Sequence, residues 1–179
     1  MTQVKIDGLY FDILISSDLI IDKVNYLYNI LFERYHNQWP LCLVVLNGAF
    51  VFAEQLFIDS PLSIQIDHLK VHSYEGLRSK EKISIDYLPY DLIKNRDVLL
   101  IEDIVDSGLT LNFLKKELKK HGAKTIECVT LLFKPNKYKF SQVPEYIGFS
   151  IGDEFVVGYG MDFNQKGREL KHIYKNINT

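Results

Sequence analysis

A chain of 179 residues with 47% hydrophobic and 25% charged residues has the size and composition of one globular domain with its own core. Its formal net charge of −2 indicates neither a nucleic-acid partner nor an anionic membrane surface, and no apolar run approaches the length of a membrane span. The two cysteines, Cys42 and Cys128, lie inside apolar runs without disulfide or metal-binding spacing, and we expect a cytoplasmic protein.

The N-terminal region predicts scaffold elements. An arm ends in a short strand over residues 10–15, where apolar side chains alternate. The stretch Ser16-Ser17-Asp18 can cap the helix that follows, because side-chain oxygens of these residue types accept a hydrogen bond from a free amide of the first turn. The run 41–46 is apolar throughout, which is typical of a strand buried on both faces of a parallel sheet.

A glycine turn at Asn47-Gly48 joins that strand to a second helix, predicted over residues 50–58. A strand, a glycine turn and a helix in this order can present free backbone amides to an anion. The spacing alone fits an ordinary tight turn equally well.

Residues 63–87 have a different pattern, in which apolar side chains alternate on both sides of the polar stretch 73–82. This alternation predicts two antiparallel strands with a long, exposed tip. From the residues alone, the hairpin is either a flexible linker or a lid that closes over a ligand.

The central segment combines a buried strand, predicted over 98–101, with a helix over 111–121. The loop between them carries three acids and a Ser-Gly-Leu-Thr sequence: Glu102, Asp103, Asp106, Ser107, Gly108, Leu109 and Thr110. The glycine lets backbone amides approach a phosphate, while the hydroxyls and the helix N-terminus would complete its site. The adjacent acids would repel a phosphate and fit ribose hydroxyls or Mg²⁺ instead. A capped strand-to-helix turn is the simpler alternative.

The last part of the chain contains a strand over 125–133, which ends at Lys134-Pro135, and a short aromatic segment. In that segment 146–149 and 155–159 are predicted as brief strands of a cap over a cleft. Phe155 is either a core residue or a face on which a planar base stacks.

These patterns predict an α/β fold and one domain over 1–179, with a parallel sheet flanked by helices. The apolar runs 41–46, 98–101 and 126–133 are joined through helices, so their carboxyl ends should share the edge where open α/β sheets bind ligands. We expect a core over about 16–140, a flexible β-hairpin lid, and a small hood from 144–179 together with the N-terminal arm.

The segment Ile101-Glu102-Asp103-Ile104-Val105-Asp106-Ser107-Gly108-Leu109-Thr110 resembles the signature of type I phosphoribosyltransferases, and more narrowly that of the hypoxanthine-guanine phosphoribosyltransferases. Further motifs occur in the family's order over nearly the whole chain: Leu46-Asn47-Gly48-Ala49, Ser73-Tyr74-Glu75-Gly76, Lys134-Pro135, Phe155-Val156-Val157-Gly158-Tyr159-Gly160-Met161-Asp162-Phe163 and then Arg168. One position departs from the family, which commonly has lysine where this chain has Asn47, often beside a cis peptide bond.

The resemblance implies a purine-salvage enzyme that uses 5-phosphoribosyl 1-diphosphate and Mg²⁺. It would transfer the phosphoribosyl group to N9 of hypoxanthine or guanine and release pyrophosphate, giving IMP or GMP. The resemblance also implies a homodimer or homotetramer, with no nucleic-acid or membrane partner.

The family's site residues carry over onto matching positions. Asp106 would be the general acid/base, and the 5′-phosphate would be held by Asp106, Ser107, Gly108, Leu109 and Thr110. Glu102 and Asp103 would bind ribose and, with Asp162, the metal. Pyrophosphate would contact Asn47, Gly48 and Arg168, and the purine would contact Lys134, Phe155, Val156 and Asp162. Ser73 and Tyr74 would belong to the lid.

Three alternatives remain at this point. A sister enzyme that prefers xanthine would share all these residues. A non-catalytic regulator that binds the sugar diphosphate and nucleic acid would favour a basic surface and would not need Asp106, Lys134 and Arg168 together. A phospho-acceptor signalling domain also places acids and a lysine at strand ends, but it lacks the Ser-Gly-x-Thr element and the long hairpin.

Overall fold

The computed structural model describes residues 3–58, 60–74 and 82–177. The elements of the first half are β1 (Gln3–Ile6), β2 (Leu9–Ile15), α1 (Ser17–Tyr35), β3 (Leu41–Leu46), α2 (Phe50–Phe57), β4 (Gln65–Tyr74) and β5 (Lys82–Tyr87). A 3₁₀ turn (Tyr90–Leu92) precedes those of the second half: β6 (Asp97–Val105), α3 (Leu109–Lys120), β7 (Thr125–Phe133), β8 (Tyr146–Ser150), β9 (Val156–Val157) and β10 (Ile173–Asn176). No helix in these ranges is long and apolar enough to cross a membrane.

The central sheet has the strand order β5-β4-β3-β6-β7-β8, and only β5 runs antiparallel to its neighbour. Alternate residues of its inner strands point to opposite faces. Cys42, for example, packs with the α1 and α2 side, whereas Leu43 packs with the α3 side. Because both faces are covered by helices, the inner strands are apolar throughout. The predicted α/β fold with a parallel sheet is confirmed.

A second sheet, β1-β2-β10-β9, joins the two ends of the chain into a small hood. Its core contains Phe11, Val157 and Tyr174, all buried. The predicted arm proves to be a hairpin, because Asp7 and Gly8 both have positive φ and form its two-residue turn. The strand β1 was not predicted from the sequence.

Two sequence-based boundaries were wrong. Residues 146–149 were predicted to belong to the cap over the cleft, which is the hood described above. They do not, because β8 pairs in parallel with β7 at the edge of the central sheet. Gly148 permits this close pairing, since a Cβ atom there would overlap the carbonyl oxygen of Leu131. The central strand also does not end at Ile101, because β6 continues to pair with β7 as far as Val105 opposite Phe133.

The predicted hairpin is present in its two strands, since β4 and β5 pair antiparallel up to Tyr74 opposite Lys82. Ser73 and Tyr74 end β4, but their side chains and residues 75–81 lie outside the described part of the chain. Their function as a lid stays a prediction.

Glu127 on β7 connects α1, the neighbouring strand β8 and its own strand through side-chain hydrogen bonds. Its carboxylate accepts hydrogen bonds from Arg34 Nη2 at 2.8 Å, Tyr35 Oη at 2.9 Å and Tyr146 Oη at 2.6 Å. Burial by itself raises the pKa of Glu127, but the hydrogen bonds from Tyr146, Arg34 and Tyr35 outweigh it and hold the pKa below the ordinary value. The ionised carboxylate therefore stabilises the fold.

We expect Glu127→Gln to lower the free energy of unfolding by about 2 kcal/mol at neutral pH, because the variant leaves partly buried donors unpaired. Since the folded pKa is depressed, this contribution is present above the ordinary pKa of 4.5 and is lost as the pH falls through the folded value. Urea unfolding from pH 3 to pH 7 tests this. Glu33→Gln, on the exposed face of α1, is the matched control. If the difference in free energy of unfolding between wild type and Glu127→Gln were as large at pH 3 as at pH 7, the prediction would be contradicted.

Candidate active site

The carboxyl ends of β3, β6 and β7 meet at one edge of the central sheet, where the hood faces them across a cleft of about 360 Å³. Ten of the predicted site residues line it: Asn47, Gly48, Glu102, Asp103, Asp106, Lys134, Phe155, Val156, Asp162 and Arg168. An adjoining cavity of about 110 Å³ is lined by Ser107, Gly108, Leu109 and Thr110 together with Glu102 and Asp106. Residues distant in sequence are therefore brought into one site.

The turn at the start of α3 has the geometry of an anion cradle. Gly108 precedes the helix with φ +79°, which a residue with a Cβ atom rarely adopts. A Cβ atom there would also overlap the ring of Tyr138. The helix begins at Leu109, so the backbone N–H groups of its first turn lie at this cavity with the positive end of the helix dipole.

Glu102 and Asp103 lie on β6 and not in the loop where the sequence placed them, because β6 keeps its pairing with β7 past both residues. Glu102 is 5% exposed, and burial raises its pKa well above the ordinary range, with repulsion from Asp103 adding to the shift. Burial also raises the pKa of Asp103 to about 6, although the amide of Ile104 donates to its carboxylate at 2.8 Å. Arg168 offsets only part of this shift at Asp103, so a cation in the cleft would favour the ionised forms of both carboxylates.

No group of three or more His, Cys, Asp or Glu side chains in the described ranges could enclose a metal ion. Mg²⁺ usually keeps water and takes one or two carboxylates plus phosphate oxygens. Buried Glu102 and partly buried Asp103 could supply such carboxylates. Asp162 is already engaged, since Oδ1 forms an ion pair with Arg168 Nη2 at 2.7 Å and Oδ2 accepts from the amide of Gln165 at 2.8 Å.

Asp106 and Lys134 form an ion pair at the centre of the cleft, with 2.9 Å between Oδ2 and Nζ. The Lys134 side chain is 5% exposed, whereas that of Asp106 is 43% exposed. A second cation, Lys137, lies 3.7 Å from the same oxygen. Sequence reasoning missed Lys137, because the turn after Pro135 that directs it back to Asp106 leaves no periodic pattern.

The Asn47-Gly48 turn forms the opposite wall, and the peptide bond between Leu46 and Asn47 is cis. A Cβ atom at Gly48 would overlap the carboxylate of Asp103. A Cβ atom at Gly160, to which the sequence motif assigns no role in the site, would overlap the carbonyl oxygen of Gly48. The hood therefore packs against this turn through two glycines, and Arg168 donates to the Gly160 carbonyl at 2.8 Å.

Phe155 offers an aromatic surface at the hood side of the cleft. Its ring packs at centroid distances of 6.5 Å and 5.7 Å against Phe11 and Phe163, yet the residue remains 46% exposed. Val156, next in the chain, is buried in β9. An aromatic side chain held from behind with one side open is suited to stack on a planar ligand.

The chain matches a family model described as the phosphoribosyl transferase domain over residues 13–164. It is 34% identical to a hypoxanthine-guanine phosphoribosyltransferase of Lactococcus lactis, with 97% of this chain and 94% of that protein aligned. A protein of the same name from Bacillus subtilis is 37% identical, with 90% of each chain aligned. A solved hypoxanthine phosphoribosyltransferase of Staphylococcus aureus superposes with a TM-score of 0.86 at 32% identity, covering 92% of this chain and 90% of that one.

Proposed function

This chain belongs to the family of hypoxanthine-guanine phosphoribosyltransferases, and we propose that it makes IMP or GMP from 5-phosphoribosyl 1-diphosphate and hypoxanthine or guanine. The observation that carries this proposal is the Asp106–Lys134 ion pair beside the phosphate cradle. It places a proton acceptor and a hydrogen-bond donor next to the site for a sugar phosphate.

In the proposed reaction, N9 of the purine attacks C1 of the ribose while the bond from C1 to the diphosphate oxygen breaks. Asp106 takes the proton that leaves N7, so the base does not accumulate positive charge. Lys134 donates to the 6-oxygen of the purine, and Phe155 stacks on the ring. Holding both substrates in line supplies a large part of the rate enhancement.

The 5′-phosphate is held by the hydroxyls and backbone amides of Ser107, Gly108, Leu109 and Thr110. Glu102 and Asp103 accept hydrogen bonds from the ribose hydroxyls and hold Mg²⁺. When bound, Mg²⁺ neutralises negative charge on the diphosphate leaving group. The raised pKa of Asp103, about 6, is consistent with a carboxylate whose ionised form depends on a cation.

On the pyrophosphate side, Arg168 supplies the positive charge and the Asn47-Gly48 turn supplies backbone and amide donors. Asn47 cannot provide the charge of the lysine common in the family. Arg168, whose orientation is set by Asp162 and the Gly160 carbonyl, therefore carries the larger share of this interaction. Asp162 thus serves Arg168 and the backbone, and Mg²⁺ only where the substrate draws Arg168 away.

We also propose that residues 1–179 act as one phosphoribosyltransferase domain in a cytoplasmic homodimer or homotetramer, with the lid at Ser73-Tyr74. Oligomerisation is supported by two large apolar side chains at either end of α2, Phe50 and Ile58, which are 62% and 57% exposed. Large exposed apolar side chains of this kind are often covered by a partner subunit. Phe50 lies next to the Asn47-Gly48 turn, and Ile58 follows the last turn of the helix.

The proposal is tested by nucleotide formation from 5-phosphoribosyl 1-diphosphate and Mg²⁺ with hypoxanthine, guanine, xanthine and adenine in parallel. We expect turnover of hypoxanthine or guanine and none of adenine, whose 6-amino group would face the Lys134 donors. A higher kcat/KM with xanthine would move the chain to the xanthine-preferring alternative. Absence of turnover with every base, despite binding of the sugar diphosphate, would favour the non-catalytic regulator.

A further inference from the structure

We infer that Lys137 is a positioning residue for Asp106. When Lys134 donates to the purine, Lys137 takes its place as the ion-pair partner of the Asp106 carboxylate. This inference rests on the proposed function and names a residue that the sequence motifs do not include. Its starting point is that two ammonium groups share one carboxylate oxygen, Lys134 at 2.9 Å and Lys137 at 3.7 Å from Asp106 Oδ2.

The two lysines differ in exposure and in their freedom to move. Lys134 is almost fully buried, whereas the Lys137 side chain is 41% exposed and lies outside hydrogen-bond distance of Asp106. In the free cleft, therefore, Lys134 makes the hydrogen bond and Lys137 contributes only its charge. A small rotation of its flexible side chain would bring Lys137 into contact.

Backbone hydrogen bonds hold the turn from which the Lys137 side chain extends. Its amide donates to the carbonyl oxygen of Lys134 at 3.2 Å, which closes the turn that begins at Pro135. The amide of Lys139 then donates to the carbonyl oxygen of Ser107 at 3.1 Å, and the Tyr138 ring covers Gly108. The turn that carries Lys137 is thus attached to the phosphate cradle itself.

Base binding creates a competition for Lys134. Its ammonium must donate to the purine 6-oxygen while Asp106, a half-exposed carboxylate, needs a donor that keeps it oriented. When Lys137 pairs with the Asp106 carboxylate, the charge of Lys134 is left for the purine 6-oxygen. Without Lys137, each hydrogen bond that Lys134 makes to the base would be weakened by its attraction to Asp106, so purine affinity would fall.

The test is steady-state kinetics of Lys137→Ala, Lys137→Arg and Lys139→Ala with hypoxanthine and with 5-phosphoribosyl 1-diphosphate varied in turn. We expect Lys137→Ala to raise the KM for hypoxanthine about fivefold, the upper range for a partly exposed ion pair. The KM for the sugar diphosphate should change little, and Lys137→Arg should restore the purine KM. Lys139→Ala removes the same charge from the same turn and should resemble wild type.

A second readout asks whether the effect passes through Asp106. Lys137→Ala should weaken IMP binding, measured by calorimetry, in the wild-type background and leave it unchanged in the Asp106→Asn background, where the paired charge is gone. A purine KM in Lys137→Ala equal to that of Lys139→Ala, or an undiminished effect in the Asp106→Asn background, would overturn the role of Lys137. Absence of turnover by the wild type would overturn the proposed function, and this role with it.

Discussion

Asp106→Asn is expected to lower kcat with hypoxanthine by about 10²- to 10⁴-fold, the range that a positioned general acid/base usually contributes. The asparagine keeps an oxygen that can accept the hydrogen bond from Lys134, so the cleft should keep its shape. It cannot take a proton from N7. The loss should therefore appear in the chemical step, while the KM for 5-phosphoribosyl 1-diphosphate changes little.

Single-turnover measurement separates this loss from slow product release. Asp22→Asn, on the exposed face of α1, makes the same chemical change away from the cleft and should behave as wild type. The melting temperatures of the three proteins should agree closely. An Asp106→Asn variant with wild-type single-turnover rates would show that the N7 proton leaves by another route.

The site was predictable wherever one short motif creates a local geometry. The cradle at Gly108 follows from the φ that only glycine adopts readily and from the helix that begins one residue later. The convergence of Asn47, Asp106 and Lys134 follows from the rule that parallel strands joined by helices place their carboxyl ends at one edge. Neither inference needs tertiary contacts beyond the topology of the sheet.

What could not be predicted depends on packing between segments far apart in sequence. The polar residues Glu102 and Asp103 resemble a loop, yet pairing of β6 with β7 keeps both in the strand, where Glu102 is buried. Likewise β8 gives no sign of which sheet it joins, since its few residues fit either one. Glycine is required at position 160 by its φ of +97° and by the approach of the hood to the Gly48 carbonyl, a contact that sequence alone does not encode.

Lys134→Met tests the origin of purine selectivity. The substitution keeps much of the volume of this buried side chain but removes its charge and its donors. We expect kcat/KM for hypoxanthine to fall about 10²-fold, because a charge-assisted hydrogen bond to the 6-oxygen is lost. The ratio of hypoxanthine to adenine turnover should fall with it, since adenine no longer meets a donor opposite its amino group. Lys116→Met, exposed on α3, is the matched control.

The ratio of hypoxanthine to adenine turnover distinguishes two possible roles of Lys134, orientation of Asp106 and recognition of the purine 6-position. If Lys134 acted only by orienting Asp106, turnover of every base would fall by the same factor and the ratio would stay constant. If Lys134 instead recognises the purine 6-oxygen, the ratio of hypoxanthine to adenine turnover changes even though Lys137 still pairs with Asp106. Comparing hypoxanthine with adenine in Lys134→Met therefore separates recognition of the base from support of the proton acceptor.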